Sequence, residues 1–176
     1  GLDVSGGNSL STYDSDPYPK EGVPNDSEWA HGTHVAGILA AVTDNGIGMA
    51  SSLFNGKILS VKCSLEKEGN GEDIHDPMLD NGFDGITYAA KAGYYAGLRT
   101  IINCSWGGGG NHPFEQSVIN NAFNNYGAIV VAAAGNGNED AIGQSEEYAA
   151  HYPASYDYVV SVCATSCNGN WGNWAT

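Results

Sequence analysis

A chain of 176 residues, 41% hydrophobic and 15% charged, is long enough to bury a core of several strands and helices and fits one globular domain. Its 20 Asp and Glu against 6 Lys and Arg leave a formal net charge of −14, which repels phosphate backbones and anionic membranes and argues against nucleic-acid binding. No apolar run reaches membrane-spanning length, no signal peptide is recognisable, and the 25 glycines follow no fibrous period.

Residues 1–28 are polar and rich in Gly, Ser, Asp and Pro (STYDSDPYPKEGVPNDSE) and read as a loop-rich opening segment. Val35, Ile38, Leu39 and Val42 share a face at helical spacing, which predicts a helix over 31–42 that TDNGIG ends. Small residues at Gly32, Ala36 and Gly37 would let that helix lie close to its neighbours. KILSVKC, 57–63, reads as a short strand, and 64–78 as polar, irregular chain. A second helix is expected over 83–95, with Phe83, Ile86, Ala90 and Tyr94 facing inward. RTIINC, 99–104, reads as a strand. A third helix covers 113–126, with Pro113 in its first turn, Phe114, Val118, Ala122 and Phe123 inward, and Gly127 as its stop. AIVVAAA, 128–134, and YVVSVCA, 158–164, are the remaining strands.

Strands that alternate with helices and read as continuous apolar runs indicate a parallel sheet covered on both faces. In open sheets of that kind the binding crevice lies at the carboxyl ends of the strands. Here those ends carry SWGGGG and GNGNED.

Three stretches can carry chemistry. The glycines of SWGGGG let a ligand approach the backbone closely, either a phosphate or an extended peptide pairing alongside 105–107; a plain turn is the alternative. No phosphate-binding glycine motif is present, which disfavours the nucleotide. Asn136 follows the very small residues 132–135, so its amide can donate into open space, as an oxyanion hole requires; a turn asparagine is the plainer reading. His31 and His34 in HGTHVAG are three apart with no carboxylate between them, unlike the His-Glu-x-x-His zinc motif. A general base at a helix start suits His31 better, against the ordinary reading of a satisfied core histidine. The four cysteines form no C-x-x-C; Cys63, Cys104 and Cys163 end apolar runs, and Cys163 could bridge to Cys167.

HGTHVAGILAAVTDNGIG, INCSWGG, VVAAAGN and YPASYDYVVSVCA occur in that order, and the chain resembles the subtilisin-like serine proteases over about 29–165. The wording is nearest to bacterial secreted members. The resemblance implies an α/β fold, a three-layer α/β/α arrangement with a mostly parallel central sheet, truncated here at both ends. Residues 29–176 would be the central part of the peptidase domain, and 1–28 its opening segment. It also implies a serine endopeptidase that works by acyl transfer on polypeptides, extracellular or at the cell surface, with a propeptide or protein inhibitor as a further partner.

Carried over residue by residue, His31 matches the general base, His34 the family's second, structural histidine, and Asn136 the oxyanion-hole donor. Ser105, Trp106 and Gly107 match the segment that pairs with the substrate backbone; many relatives have leucine where this chain has Trp106. Ala133 and Gly135 match the floor and side of the pocket for the residue before the cut bond, whose far wall falls around 148–152 without an assignable residue. No cofactor is required and no metal site is assigned. Calcium, common in the family, stays unplaced, with Asp44 and Asn45 or Asp14, Asp16 and Asp26 as oxygen donors.

Two expected parts have no match. The family's aspartate ends an apolar strand in an Asp-[Ser/Thr]-Gly motif, whereas Asp3 in LDVSGG precedes Val4 with no strand leading in, so the triad aspartate is expected before residue 1. The Gly-Thr-Ser-Met-Ala stretch of the nucleophile does not occur. The fragment alone is therefore expected to be inactive. A catalytically inactive subtilase fold, serving as a peptide-binding or structural module, is the alternative; keeping base and oxyanion donor together speaks against it. A nucleotide-binding α/β domain is a more remote one.

Overall fold

A computed structural model describes residues 1–5, 15–18, 30–54, 56–67, 73–136 and 150–164, with backbone alone at 65–67 and 73–78. The chain divides into two compact units, Gly1–Gly85 and Ile86–Thr176.

In the first unit β1 (Leu2–Asp3) runs parallel to β2 (Val61–Lys62), with Leu2 opposite Val61 and Asp3 opposite Lys62. Val4, fully buried, extends the pairing by donating its N–H to the Lys62 carbonyl at 2.9 Å. The opening segment, expected to be loop, thus begins with a strand. Two residues carry no periodicity to read. Of the strand expected over 57–63 only Val61 and Lys62 pair, while Ile58 and Leu59 stay exposed. The stretch 64–78, expected to be irregular, forms an antiparallel ribbon of β3 (Ser64–Lys67) and β4 (Asp73–Leu79). Its register shifts between Leu65 and Lys67, the mark of a bulge.

α1 (His31–Ala40) ends two residues earlier than expected. Its last carbonyls do not go unpaired: Ser52 and Leu53 donate backbone N–H groups to Ile38 and Leu39 at 3.2 and 3.0 Å. No residue of α1 is buried, and the expected inward residues Ile38 and Leu39 remain exposed. Among the described residues nothing covers that apolar stripe.

The second unit holds a three-stranded parallel sheet of β5 (Ile101–Cys104), β6 (Ile129–Ala133) and β7 (Val159–Val162), in that order. Cys104 faces Ala132, and Ala133 faces Val162. Ile102, Cys104, Val130 and Ala132 are buried, whereas Ile101 and Ile129 are exposed. One face of the sheet is therefore covered within the described residues, not both. α2 (Gly82–Tyr95) buries Ile86, Ala89 and Ala90, while Tyr94, expected inward, is exposed and meets Tyr126 edge to face.

Between β5 and β6 runs α3 (Pro113–Tyr126), with the bounds its sequence predicts. Pro113 supplies a preset first turn, and Gly127 adopts φ 63°, the left-handed conformation that costs glycine least. There the N–H of Gly127 bonds Phe123 and that of Ala128 bonds Ala122, closing the helix. Val118, Ile119 and Ala122 are buried; Phe114 and Phe123, expected inward, are exposed, and Phe123 stacks on Tyr158. Each fully buried aliphatic of this kind contributes about 1.5–3 kcal/mol.

Tyr156 ties the start of α3 to the turn before β7. Its hydroxyl donates to Glu115 Oε2 at 2.6 Å and accepts the His112 backbone N–H at 3.0 Å. Burial, together with the bond to Glu115, pushes this phenol up to about 12. Gln116 adds a second tie, accepting the Asp157 backbone N–H at 3.0 Å.

Candidate active site

Because β5 and β6 are adjacent and parallel, their carboxyl ends lie along one edge of the sheet. Six of the residues singled out from the sequence sit there: Ser105, Trp106 and Gly107 directly after β5, and Ala133, Gly135 and Asn136 at the end of β6. The Ala134 N–H still bonds Val162 at 2.9 Å, so the strand is held up to that point. Gly135 then takes φ 112°, a backbone region that strains any residue with a β-carbon, and turns the chain out of the sheet. Asn136 follows, exposed, at the tip of the strand end.

Ser105 and Trp106 are half-buried and Gly107 is exposed. Asn103, on β5, donates its side-chain amide to the Ser105 hydroxyl oxygen at 2.9 Å and so braces the start of the segment. Next to it, Gly108 and Tyr152 exchange both backbone hydrogen bonds, at 2.9 and 2.8 Å, as an antiparallel bridge. This fastens the segment after β5 to the chain that leads into β7. Neither Gly108 nor Tyr152 was singled out from the sequence, because a bridge between distant segments leaves no local pattern. The bridge clamps the chain at Gly108, directly after the strand end, the kind of place at which an extended peptide can pair.

His31 belongs to the first unit, where it opens α1 and is exposed, as is His34. Ala30, at the helix N-cap, makes no side-chain hydrogen bond to the helix. Asp3 behaves differently. Its Oδ1 accepts the Ser5 N–H at 2.9 Å and the Ser5 hydroxyl at 2.6 Å, and its Oδ2 accepts Lys62 Nζ at 2.7 Å. Burial alone would push this carboxyl up, but the bonds from Lys62 and Ser5 outweigh it and hold the carboxyl below its usual range. Among these partners there is no histidine.

Asp14 and Asp26 lie outside the described residues, and the Asn45 side-chain oxygen accepts its own turn's Ile47 N–H at 2.9 Å. Among the described residues no group of three His, Cys, Asp or Glu side chains gathers to hold a metal ion. Pairing of Cys163 with Cys167 also falls outside the described residues. No described helix is long and apolar enough to cross a membrane.

Comparison with known proteins bears on the family and the fold. The sequence model of the Subtilase family matches residues 4–174. The chain is 34% identical over 149 residues to the extracellular basic protease of Dichelobacter nodosus, covering 81% of this chain and 22% of that protein. It is 35% identical over 163 residues to thermitase of Thermoactinomyces vulgaris, covering 93% of this chain and 49% of the relative. Among solved structures, the S41 psychrophilic protease superposes with a TM-score of 0.60 at 24% identity, over 80% of this chain and 42% of that one. That likeness supports the α/β fold with parallel sheets. The chain spans between about an eighth and a half of the curated relatives it matches. It belongs to the subtilase family of serine proteases.

Proposed function

We propose that the full-length protein is a serine endopeptidase that cleaves polypeptides through an acyl-enzyme, outside the cell. The observation that carries this reading is the strand-end arrangement, with Asn136 and the segment 105–107 on one edge of the parallel sheet in a chain matched to the subtilases over 4–174. An extracellular setting is supported by the name of the Dichelobacter nodosus relative.

In this mechanism the substrate strand pairs with the backbone of 105–107, beside Trp106, and its side chain before the cut bond enters the space bounded by Ala133 and Gly135. A serine hydroxyl attacks the carbonyl carbon while His31 takes the hydroxyl proton. Negative charge then forms on the carbonyl oxygen, and the Asn136 amide donates to it, where a preset donor is worth most. His31 returns its proton to the leaving amine, and water repeats the sequence to free the enzyme. This reading puts the nucleophile outside residues 1–176, which contain no Gly-Thr-Ser-Met-Ala stretch. With its carboxylate held by Lys62 and Ser5, Asp3 serves structure in this reading, and another aspartate orients His31.

The test uses the full-length protein on casein and on peptide amides, with a fluorophosphonate and a chelator as inhibitors. Stoichiometric inactivation by the fluorophosphonate is expected, at a serine outside residues 1–176. Peptidase activity abolished by the chelator but indifferent to the fluorophosphonate would rule the reading out.

A further inference from the structure

The turn after α1 carries the dipeptide Asn45–Gly46, in which a side-chain amide is followed by a backbone nitrogen that no side chain shields. Residues 44–48 are bends, neither helix nor strand, and all of them are exposed. Positive φ at Asp44 (59°), Gly46 (72°) and Gly48 (67°) shapes the turn. The Asn45 side-chain oxygen accepts the Ile47 N–H at 2.9 Å, which holds the carboxamide against its own backbone and draws electrons from its carbonyl carbon. Gly46 lies between these two residues. Its N–H makes no hydrogen bond among the described residues, and a β-carbon built on it would meet nothing within 4 Å. Neither a bond nor a packed neighbour guards that nitrogen.

A second Asn-Gly pair, Asn81–Gly82, is held differently. The Asn81 amide nitrogen donates to the Val4 carbonyl and to Asp80 Oδ2, both at 3.0 Å, and Val4 is fully buried. Gly82 opens α2, and the Asn81 carbonyl accepts the Gly85 N–H at 3.1 Å. Turning this carboxamide toward Gly82 would break both of those side-chain bonds.

We propose that Asn45 is a site of spontaneous covalent modification by intramolecular deamidation, which the fold permits there and suppresses at Asn81. Water takes the Gly46 amide proton as that nitrogen attacks Asn45 Cγ. The new N–C bond forms, and negative charge builds on Oδ1, to which the Ile47 N–H already donates. The Cγ–Nδ2 bond then breaks, and the side-chain nitrogen takes a proton from water and leaves as ammonia. A second water opens the resulting succinimide at one of its two carbonyls, giving aspartate or isoaspartate. Nothing is oxidised or reduced: amide and water become acid and ammonia. Each event places a new negative charge beside Asp44. Isoaspartate also carries the main chain through its β-carbon, in the loop that joins α1 to Ser52 and Leu53, whose N–H groups hold the last carbonyls of that helix. The chemistry needs no peptidase activity.

The test ages the full-length protein with protease inhibitors at mildly alkaline pH, beside a sample denatured in urea, and maps both by peptide mass spectrometry. In the native protein Asn45 is expected to convert more than about tenfold faster than Asn81, whose two side-chain bonds must break first. In urea the two pairs are expected to convert at similar rates, since the shared dipeptide alone then decides. A native Asn45-to-Asn81 ratio no larger than the ratio in urea overturns the proposal. So does a native Asn45 that stays intact while the denatured one converts.

Discussion

His151 and Gly107 touch so closely that the structure has no room for even one methyl group between them: a β-carbon on Gly107 would stand 2.7 Å from the ring and equally close to the Tyr152 carbonyl oxygen. A side chain can swing aside, but the carbonyl belongs to the Gly108–Tyr152 bridge. Gly107→Ala is therefore expected to displace the segment after β5 and lower kcat/KM roughly 10- to 100-fold, with a stability loss of about 1–3 kcal/mol. Peptide-amide kinetics and thermal melting of the same variant check this. Wild-type kinetics would mean that the segment does not hold the substrate.

Asn136 acts only as charge develops on the carbonyl oxygen. Asn136→Ala is expected to reduce kcat roughly 10²–10³-fold, a magnitude carried over from subtilisin, with KM nearly unchanged. Steady-state kinetics separate the two parameters. A rise in KM with kcat intact would assign Asn136 to substrate binding instead.

Much of this second unit was legible in the sequence. The helix over 113–126 was marked by Pro113 and Gly127, which act through their own backbone restrictions and so hold in any context. The strands ending at Cys104 and Ala133 were marked by apolar runs. Tertiary pairing was not legible. Nothing local announces that Gly108 bridges Tyr152, that Leu2 and Asp3 pair with Val61 and Lys62, or that the polar stretches 64–67 and 73–79 form a ribbon. Inward directions also misled, since Phe114 and Tyr94 satisfied helical spacing yet face out.

The Asp3–Lys62 pair is nearly enclosed, with side-chain exposures of 7% and 10%, so removing one partner strands the other's charge. In inhibitor-blocked full-length protein, Lys62→Met is expected to cost about 3 kcal/mol at pH 7. The native Asp3 carboxyl titrates below its ordinary value of 3.8, so the pair's contribution is present above that value and is lost as pH falls through the lower native one. The gap between wild type and Lys62→Met should accordingly narrow below about pH 4. Equal denaturation midpoints at pH 7 would contradict a structural ion pair.

Cys63 sits where burial first, and then the charges of Asp3, Asp80 and Asp84, oppose a thiolate, which pushes the thiol up to about 12. At pH 8 only about 10⁻⁴ of it is ionised. Iodoacetamide is expected to leave Cys63 unmodified in the native protein and to alkylate it after denaturation, as peptide mapping would reveal. Native alkylation at the rate of an ordinary peptide cysteine would mean that the pocket of carboxylates around Cys63 is open.

The most direct measurement is the turnover of a peptide amide by the full-length protein and by its His31→Ala variant, with circular dichroism to establish that both are folded. Without the general base, kcat is expected to fall by several orders of magnitude, on the order of 10⁶ as when the histidine is removed from subtilisin, while the fold persists. A folded His31→Ala variant that turns over peptide at the wild-type rate would contradict the account.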